Sequence, residues 1–156
     1  MSDDRYRLHR LRPGDEWVLA TLAKGNARFG KGDERPWVPP LSSDEAAEFV
    51  SDPRTICVVA IDTGTNHMAG FVYAGVLYRR HTNLRHLCVY EVGIDIDHAR
   101  DEVAPLLMSG IAAEARQMGI DRGFAFANAA DVDNRKIFEA MKHTKSDGEI
   151  LFGLEF

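Results

Sequence analysis

Large and polar side chains alternate from Tyr6 to Leu11, which predicts a first strand ended by Pro13-Gly14. The apolar spacing then turns helical. Val18, Leu19, Leu22, Ala23 and Phe29 form one stripe, with Asp15 placed to cap it. Gly30, Gly32, Pro36, Pro39 and Pro40 break the stripe and predict a structured loop. Ser42 with Glu45 is a capping-box signature for a second, short helix ending near Asp52-Pro53. Thr55 to Ile61 and His67 to Tyr78, joined by a turn over Asp62 to Asn66, predict a long hairpin, and Leu87 to Asp95 adds a third antiparallel strand. From Glu102 to Gly119 the positions Val103, Leu106, Leu107, Gly110, Ile111 and Met118 follow helical spacing, with Glu114 and Arg116 on the polar side and Gly119 as the stop. Arg122 to Ala127 reads as a strand parallel to the one before that helix. Asp131 to Lys142 predicts a last helix with Ile137, Phe138 and Met141 inward, and Ile150 to Phe156 a closing strand.

The predicted order is β-α-α-β-β-β-α-β-α-β, an α/β class in which a β-α-β unit follows a meander around one mixed sheet. At 156 residues the chain can bury one core of its own and is too short for two ordinary ones, so a single domain over 1–156 is expected. No apolar run approaches the ~20 residues of a membrane span. Met1 to Arg12 is polar and unlike a signal peptide, and a cytoplasmic protein is the expectation. Cys57 and Cys88 sit in apolar, β-branched-rich runs and read as core thiols. A formal net charge of -5 with no basic stripe argues against nucleic acid and suits a cationic partner.

The densest chemistry lies in the segment YEVGIDIDHARDEVA, from Tyr90 to Ala104. It is an apolar strand carrying one carboxylate, Glu91, that runs through a loop into an amphipathic helix. Read alone, Val89-Tyr90-Glu91-Val92 alternates, which makes Glu91 an ordinary solvated position of a strand. Asp95, Asp97, His98, Asp101 and Glu102 lack the glycine and ligand pattern of a calcium loop, and no metal is expected there. Arg79, Arg80, His81, Arg85 and His86 form a basic patch, either a solvated connection or a contact for an anion. The sequence contains no HExxH, GxSxG, Walker or dinucleotide-binding pattern.

On HLCVYEVGIDIDHARDEVAPLL, the preceding VLYRRHTNLR, and the tail DVDNRKIFEAMKH with EILFGLEF, the chain resembles the GNAT superfamily of acetyl-CoA-dependent N-acetyltransferases over nearly its full length. Within that superfamily it is most similar to the type I aminoglycoside 3-N-acetyltransferases. The resemblance implies acetyl transfer to a primary amine of a small cationic acceptor such as an aminoglycoside, with acetyl-CoA as donor. It implies Glu91 as general base, since a protonated amine must lose a proton before it attacks a thioester. Backbone N–H groups around Val92, Gly93 and Ile94 would hold the thioester carbonyl and the pantetheine arm. The segment Ala99, Arg100, Asp101, Glu102, Val103 and Ala104 would hold the pyrophosphate, and Phe138 would lie by the departing thiolate. Family members are often dimers, so a homodimer through the apolar last strand is a further expectation.

Two departures qualify the resemblance. The pyrophosphate loop of the family has a basic or amide residue, a glycine, and a glycine or alanine at positions that fall here on Ala99, Glu102 and Ala104, and only Ala104 agrees. A carboxylate ~5 Å from a phosphate charge costs roughly 3 kcal/mol at an effective dielectric of ~20, although Arg100 could move into the basic role. Pro105 is expected early in its helix, where a missing N–H is tolerated. Phe138 replaces the tyrosine that would protonate the thiolate. The alternative is therefore a GNAT-fold ligand-binding or interaction protein without productive acetyl-CoA binding. Phe29, Asp33, Glu34 and Trp37 lie in the long loop that shapes the acceptor site in such enzymes, where they either line that site or pin the loop to the core.

Overall fold

The sheet forms from the runs that alternation marks. The computed structural model describes residues 4–30, 38–80, 84–146, 148 and 152–156. The chain divides into two compact units, residues 1–126 and 127–156.

The first unit contains β1 (Tyr6–Arg10), α1 (Glu16–Lys24), α2 (Asn26–Phe29), α3 (Ser43–Ser51), β2 (Thr55–Asp62), β3 (Met68–Tyr78), β4 (Arg85–Ile94), α4 (Arg100–Gln117) and β5 (Gly123–Ala125). The strands lie in the order β1-β2-β3-β4-β5. The first four are antiparallel to their neighbours, and β5 joins β4 in parallel, as the intervening helix requires.

Each sheet face is covered by helix. On one side Leu11, Val18, Val50, Cys57, Val59 and Phe71 form a buried cluster, with Leu19, Leu22, Phe29 and Phe49 packed against it. On the other, α4 turns Val103, Leu107, Met108 and Ile111 inward. A side chain at Gly70 would sit 3.1 Å from both Val103 and Leu107, so the glycine sets how closely α4 approaches. Arg10 Nη1 donates to Glu114 Oε2 at 2.6 Å, tying β1 to the same helix. Burying each large aliphatic side chain of this kind contributes about 1.5–3 kcal/mol, which makes the two helix-covered faces the main source of stability.

Three local expectations are corrected. The first helix does not run through to Phe29. It stops at Gly25, where a Cβ would lie 3.3 Å from the Phe29 ring, so the glycine lets the chain turn and Phe29 fold back. Asp15 stands at the N-cap without a side-chain cap bond, and its carboxylate instead accepts from the Arg12 N–H and pairs with the His9 ring, each at 2.9 Å. Pro105 lies beyond the first turn, because α4 already starts at Arg100. The Asp101 carbonyl thereby loses its helical donor, on a residue that is solvent-exposed and open to water. The capping box of α3 forms as expected: Glu45 N–H donates to Ser42 Oγ at 3.3 Å and Ser42 N–H to Glu45 Oε2 at 2.8 Å.

The second unit holds α5 (Val132–Glu139), capped by Asp131, whose Oδ1 accepts from the Asn134 N–H at 3.0 Å. Ile137 is buried and Phe138 half-buried. The helix ends at Glu139, so Met141 loses the helical phase that would turn it inward and is exposed. Phe152 to Phe156 is exposed and has no regular structure, which corrects the expected closing strand over that stretch; Ile150 and Leu151 lie outside the described residues. Alternation without a ladder partner does not make a strand.

Candidate active site at the split of β4

Position 90 interrupts β4. Along β3, Tyr73 pairs with Glu91 and the next residue, Ala74, pairs with Val89, so Tyr90 has no cross-strand partner. The strand bulges there. On its other side the pairing with β5 covers Leu87, Cys88 and Val89 and then ends. Among the described residues, β4 from Tyr90 to Ile94 is therefore held by β3 alone, and the sheet parts beside Glu91.

Cross-strand register sets what faces Glu91. Cys57 pairs with Tyr73 and Tyr73 with Glu91, which puts the three in one row on the sheet face that α1 and α3 cover. Burial pushes the Cys57 thiol up to about 12, with the negative charge of Glu91 adding to it. Glu91 itself is exposed. Two residues on, Gly93 is buried, and a Cβ there would fall 2.4 Å from the Phe71 ring and 3.0 Å from both the Phe29 Cβ and its carbonyl oxygen. Gly93 thus admits the α2 backbone to the end of β4.

A second contact fixes that approach. Arg28, on α2, makes a two-point bond to the buried Asp95, Nε to Oδ2 at 2.8 Å and Nη2 to Oδ1 at 3.0 Å, and also pairs with Asp97. Ile96 N–H donates to the Arg28 carbonyl at 3.1 Å. Burial works against the Asp95 charge, but the bonds from Arg28, the Asp97 N–H and the His98 ring outweigh it and hold the carboxyl below its ordinary range. The hydrogen bonds that Arg28 donates to Asp95 and Asp97 raise its own pKa in turn. His98 also lies 3.5 Å from Asp62, and Arg5 lies 3.5 Å from Glu102. Of the acids in and before this loop, Asp95, Asp97 and Glu102 therefore have cationic partners.

At the start of α4, Glu102 and Val103 both donate to the Ala99 carbonyl. Among the described residues no hydrogen bond takes up the N–H of Arg100 or of Asp101, the arrangement that attracts an anion to a helix N-terminus. Val103 and Ala104 turn into the core, so their side chains are removed from any ligand and only their main chain remains relevant. Ala99, Asp101 and Glu102 are exposed, and Arg100 half-buried. The expected residues are thus split. Glu91, Val92, Gly93 and Ile94 follow the parting of the sheet, and 99–104 follow the loop beyond it. Phe138 belongs to the second unit, on α5.

Arg28 and Tyr73 were missed by sequence reasoning. Arg28 meets its partners 67 and 69 residues away, with no local signal. A groove of about 900 Å³ was missed too; Val18, Phe29, Val59 and Ile61 contribute apolar lining, Arg7 and Asp62 charge, and Glu91 is outside it. In the basic patch Arg85 donates to the Met118 carbonyl, Arg79 and Arg80 are exposed, and the His86 Nε2 is buried with no partner among the described residues. His81, Asp33, Glu34 and Trp37 lie outside the described residues.

Compared with solved structures, an aminoglycoside acetyltransferase from an uncultured soil metagenomic sample, in complex with sisomicin, superposes with a TM-score of 0.83 at 16% identity, covering 100% of this chain and 99% of that one. The fold is that of the GNAT acetyltransferases. A second aminoglycoside acetyltransferase from an uncultured soil metagenomic sample matches with a TM-score of 0.82 at 17% identity over 97% of this chain and 98% of that one. The ribosomal-protein-alanine N-acetyltransferase of Brucella melitensis biovar Abortus 2308 gives 0.70 at 20% identity over 96% and 99%. No protein-family model matches the chain, and no curated protein is detectably similar in sequence. No helix among the described residues is long and apolar enough to cross a membrane.

Proposed function

We propose that the protein is an acetyl-CoA-dependent N-acetyltransferase acting on a primary amine of a small cationic acceptor, an aminoglycoside being the acceptor the fold neighbours suggest. The observation that carries this reading is the parting of β4 from β5 after Val89, beside the exposed carboxylate of Glu91. A strand edge released from its ladder offers N–H and C=O groups in a row, suited to an extended amide-containing arm.

The donor supplies an acetyl group activated as a thioester. Glu91 takes one proton from the acceptor ammonium, directly or through a water. The freed nitrogen lone pair forms the C–N bond at the carbonyl carbon, and the main chain over Val92 to Ile94 donates to the carbonyl oxygen as charge develops there. The C–S bond then breaks, the sulfur leaves as thiolate, and the second proton of the attacking nitrogen passes to water or to that thiolate, leaving a neutral amide. No side-chain acid is needed at that moment, because a thiol of pKa ~8.5 is a fair leaving group. Arg100 and the N–H groups at the start of α4 support the phosphates. The pairing of Asp95 and Asp97 with Arg28, and of Glu102 with Arg5, removes much of the repulsion that the acidic loop would present.

Calorimetric titration with acetyl-CoA and with CoA at low salt tests the reading. Micromolar binding, weakened by Arg100→Ala and unchanged by Glu91→Gln, is the expected result. Absence of binding at millimolar cofactor would overturn it and leave the ligand-binding or interaction reading in its place.

A further inference from the structure

The bulge changes which way Tyr90 points. In a regular strand Tyr90 and Glu91 would face opposite sides of the sheet. Here Glu91 is the cross-strand partner of Tyr73, while the Tyr90 ring also lies against Tyr73, centroid to centroid 5.6 Å and edge to face at 67°. Both side chains thus stand on the Tyr73 side. Behind them Phe49 closes on Tyr73 at 5.1 Å, so an aromatic run leads from the half-buried Phe49 to Tyr90, which is 75% exposed. An exposed ring beside a carboxylate combines the negative face of an aromatic quadrupole with a full negative charge, the pairing that selects organic cations.

We propose that Tyr90, braced by Tyr73, is a specificity-determining residue that receives the ammonium group of the acceptor against its ring while Glu91 faces the same cation. The ring selects for positive charge and tolerates varied shape, since it attracts a cation without a fixed hydrogen-bond direction. A primary ammonium also offers Glu91 a proton; a quaternary one occupies the wall and cannot be acylated. Naming the cation as an acceptor rests on the acetyltransferase reading, but the cation site itself does not.

The test uses choline and its neutral isostere 3,3-dimethylbutan-1-ol, titrated into the full chain without any donor and followed by protein NMR. Choline is expected to shift Tyr90, Tyr73 and Glu91 signals saturably, and the alcohol to leave them in place. Tyr90→Phe should keep the choline affinity, and Tyr90→Leu should weaken it about five-fold. Thermal melts of both variants check that the exposed substitution leaves the fold intact. Equal response to choline and the alcohol, or an unchanged choline affinity in Tyr90→Leu, would overturn the proposal. Because no donor is present, choline binding without acetyl-CoA binding would sink the acetyltransferase reading alone. Acetyl transfer with an acceptor KM unmoved by Tyr90→Leu would sink the aromatic wall alone.

Discussion

The two halves of β4 are made of similar residues and do different work. From Arg85 to Val89 the strand has β3 on one side, and on the other β5 joins it at Leu87. From Tyr90 to Ile94 it has, among the described residues, β3 alone, begins with a bulge, and carries the exposed Glu91 and the space-making Gly93. The first half is ordinary sheet. The second departs from the ladder at the point where α2 and the β4–α4 loop close in, and bulges of this kind recur beside active sites.

The sharpest way to break this contrast is at the carboxylate. Glu91→Gln should lower kcat/KM for acceptor acetylation by about 10²- to 10⁴-fold while leaving acetyl-CoA affinity and Tm in place. Part of the lost rate should return as pH rises toward the amine pKa, because the acceptor then arrives already deprotonated. A variant with normal activity at neutral pH would remove Glu91 from the mechanism.

Glycines compare the halves directly. Gly93→Val must displace Phe71 or the α2 backbone and should destabilise by about 2–3 kcal/mol in denaturant unfolding. Gly75→Ala, which faces Cys88 in the paired half and has nothing within 4 Å of its added Cβ, should stay within about 0.5 kcal/mol. Equal losses at both positions would erase the distinction.

Next in size is Asp95→Ala, expected to cost about 2 kcal/mol by stranding Arg28, the Asp97 N–H and His98 at once. The wild-type contribution has a definite pH sign. The folded-state pKa of Asp95 lies below its unfolded value of roughly 3.9, so the stabilisation is fully present above pH ~4 and is lost as pH falls through the lowered native value. Asp95→Ala should therefore flatten the acid limb of a stability-against-pH curve. The smallest effect belongs to Glu102→Gln. With Arg5 3.5 Å away and both side chains more than half exposed, removing that charge should tighten acetyl-CoA binding by only about three-fold, far short of what an unpaired carboxylate would give.

Most of the architecture was legible because it is local. Alternation located β2 and β3 to within a residue or two, Ser42 and Glu45 announced the α3 cap, and the helix after β4 foretold a parallel β5. The bulge was not legible. Val89-Tyr90-Glu91-Val92 alternates faultlessly on paper, and only the register against β3 shows that Tyr90 is skipped. Gly25 was equally silent, since a single glycine inside a helical stripe is often tolerated. The acidic loop misled for a different reason. Its carboxylates suggested repulsion, whereas the cations that neutralise them come from Arg5, just before β1, and from Arg28 on α2, far back along the chain.

The Arg28 contact has a graded sensitivity to ionic strength. Its outer partner Asp97 has a side chain 71% exposed and Arg28 one 47% exposed, so added salt screens that pair within a Debye length of ~3 Å at 1 M. Its inner partner Asp95 is only 6% exposed in its side chain and bound at two points. Rising salt should therefore release the loop at Asp97 while α2 stays docked through Asp95, giving the molecule a loosened but still attached state between fully held and detached.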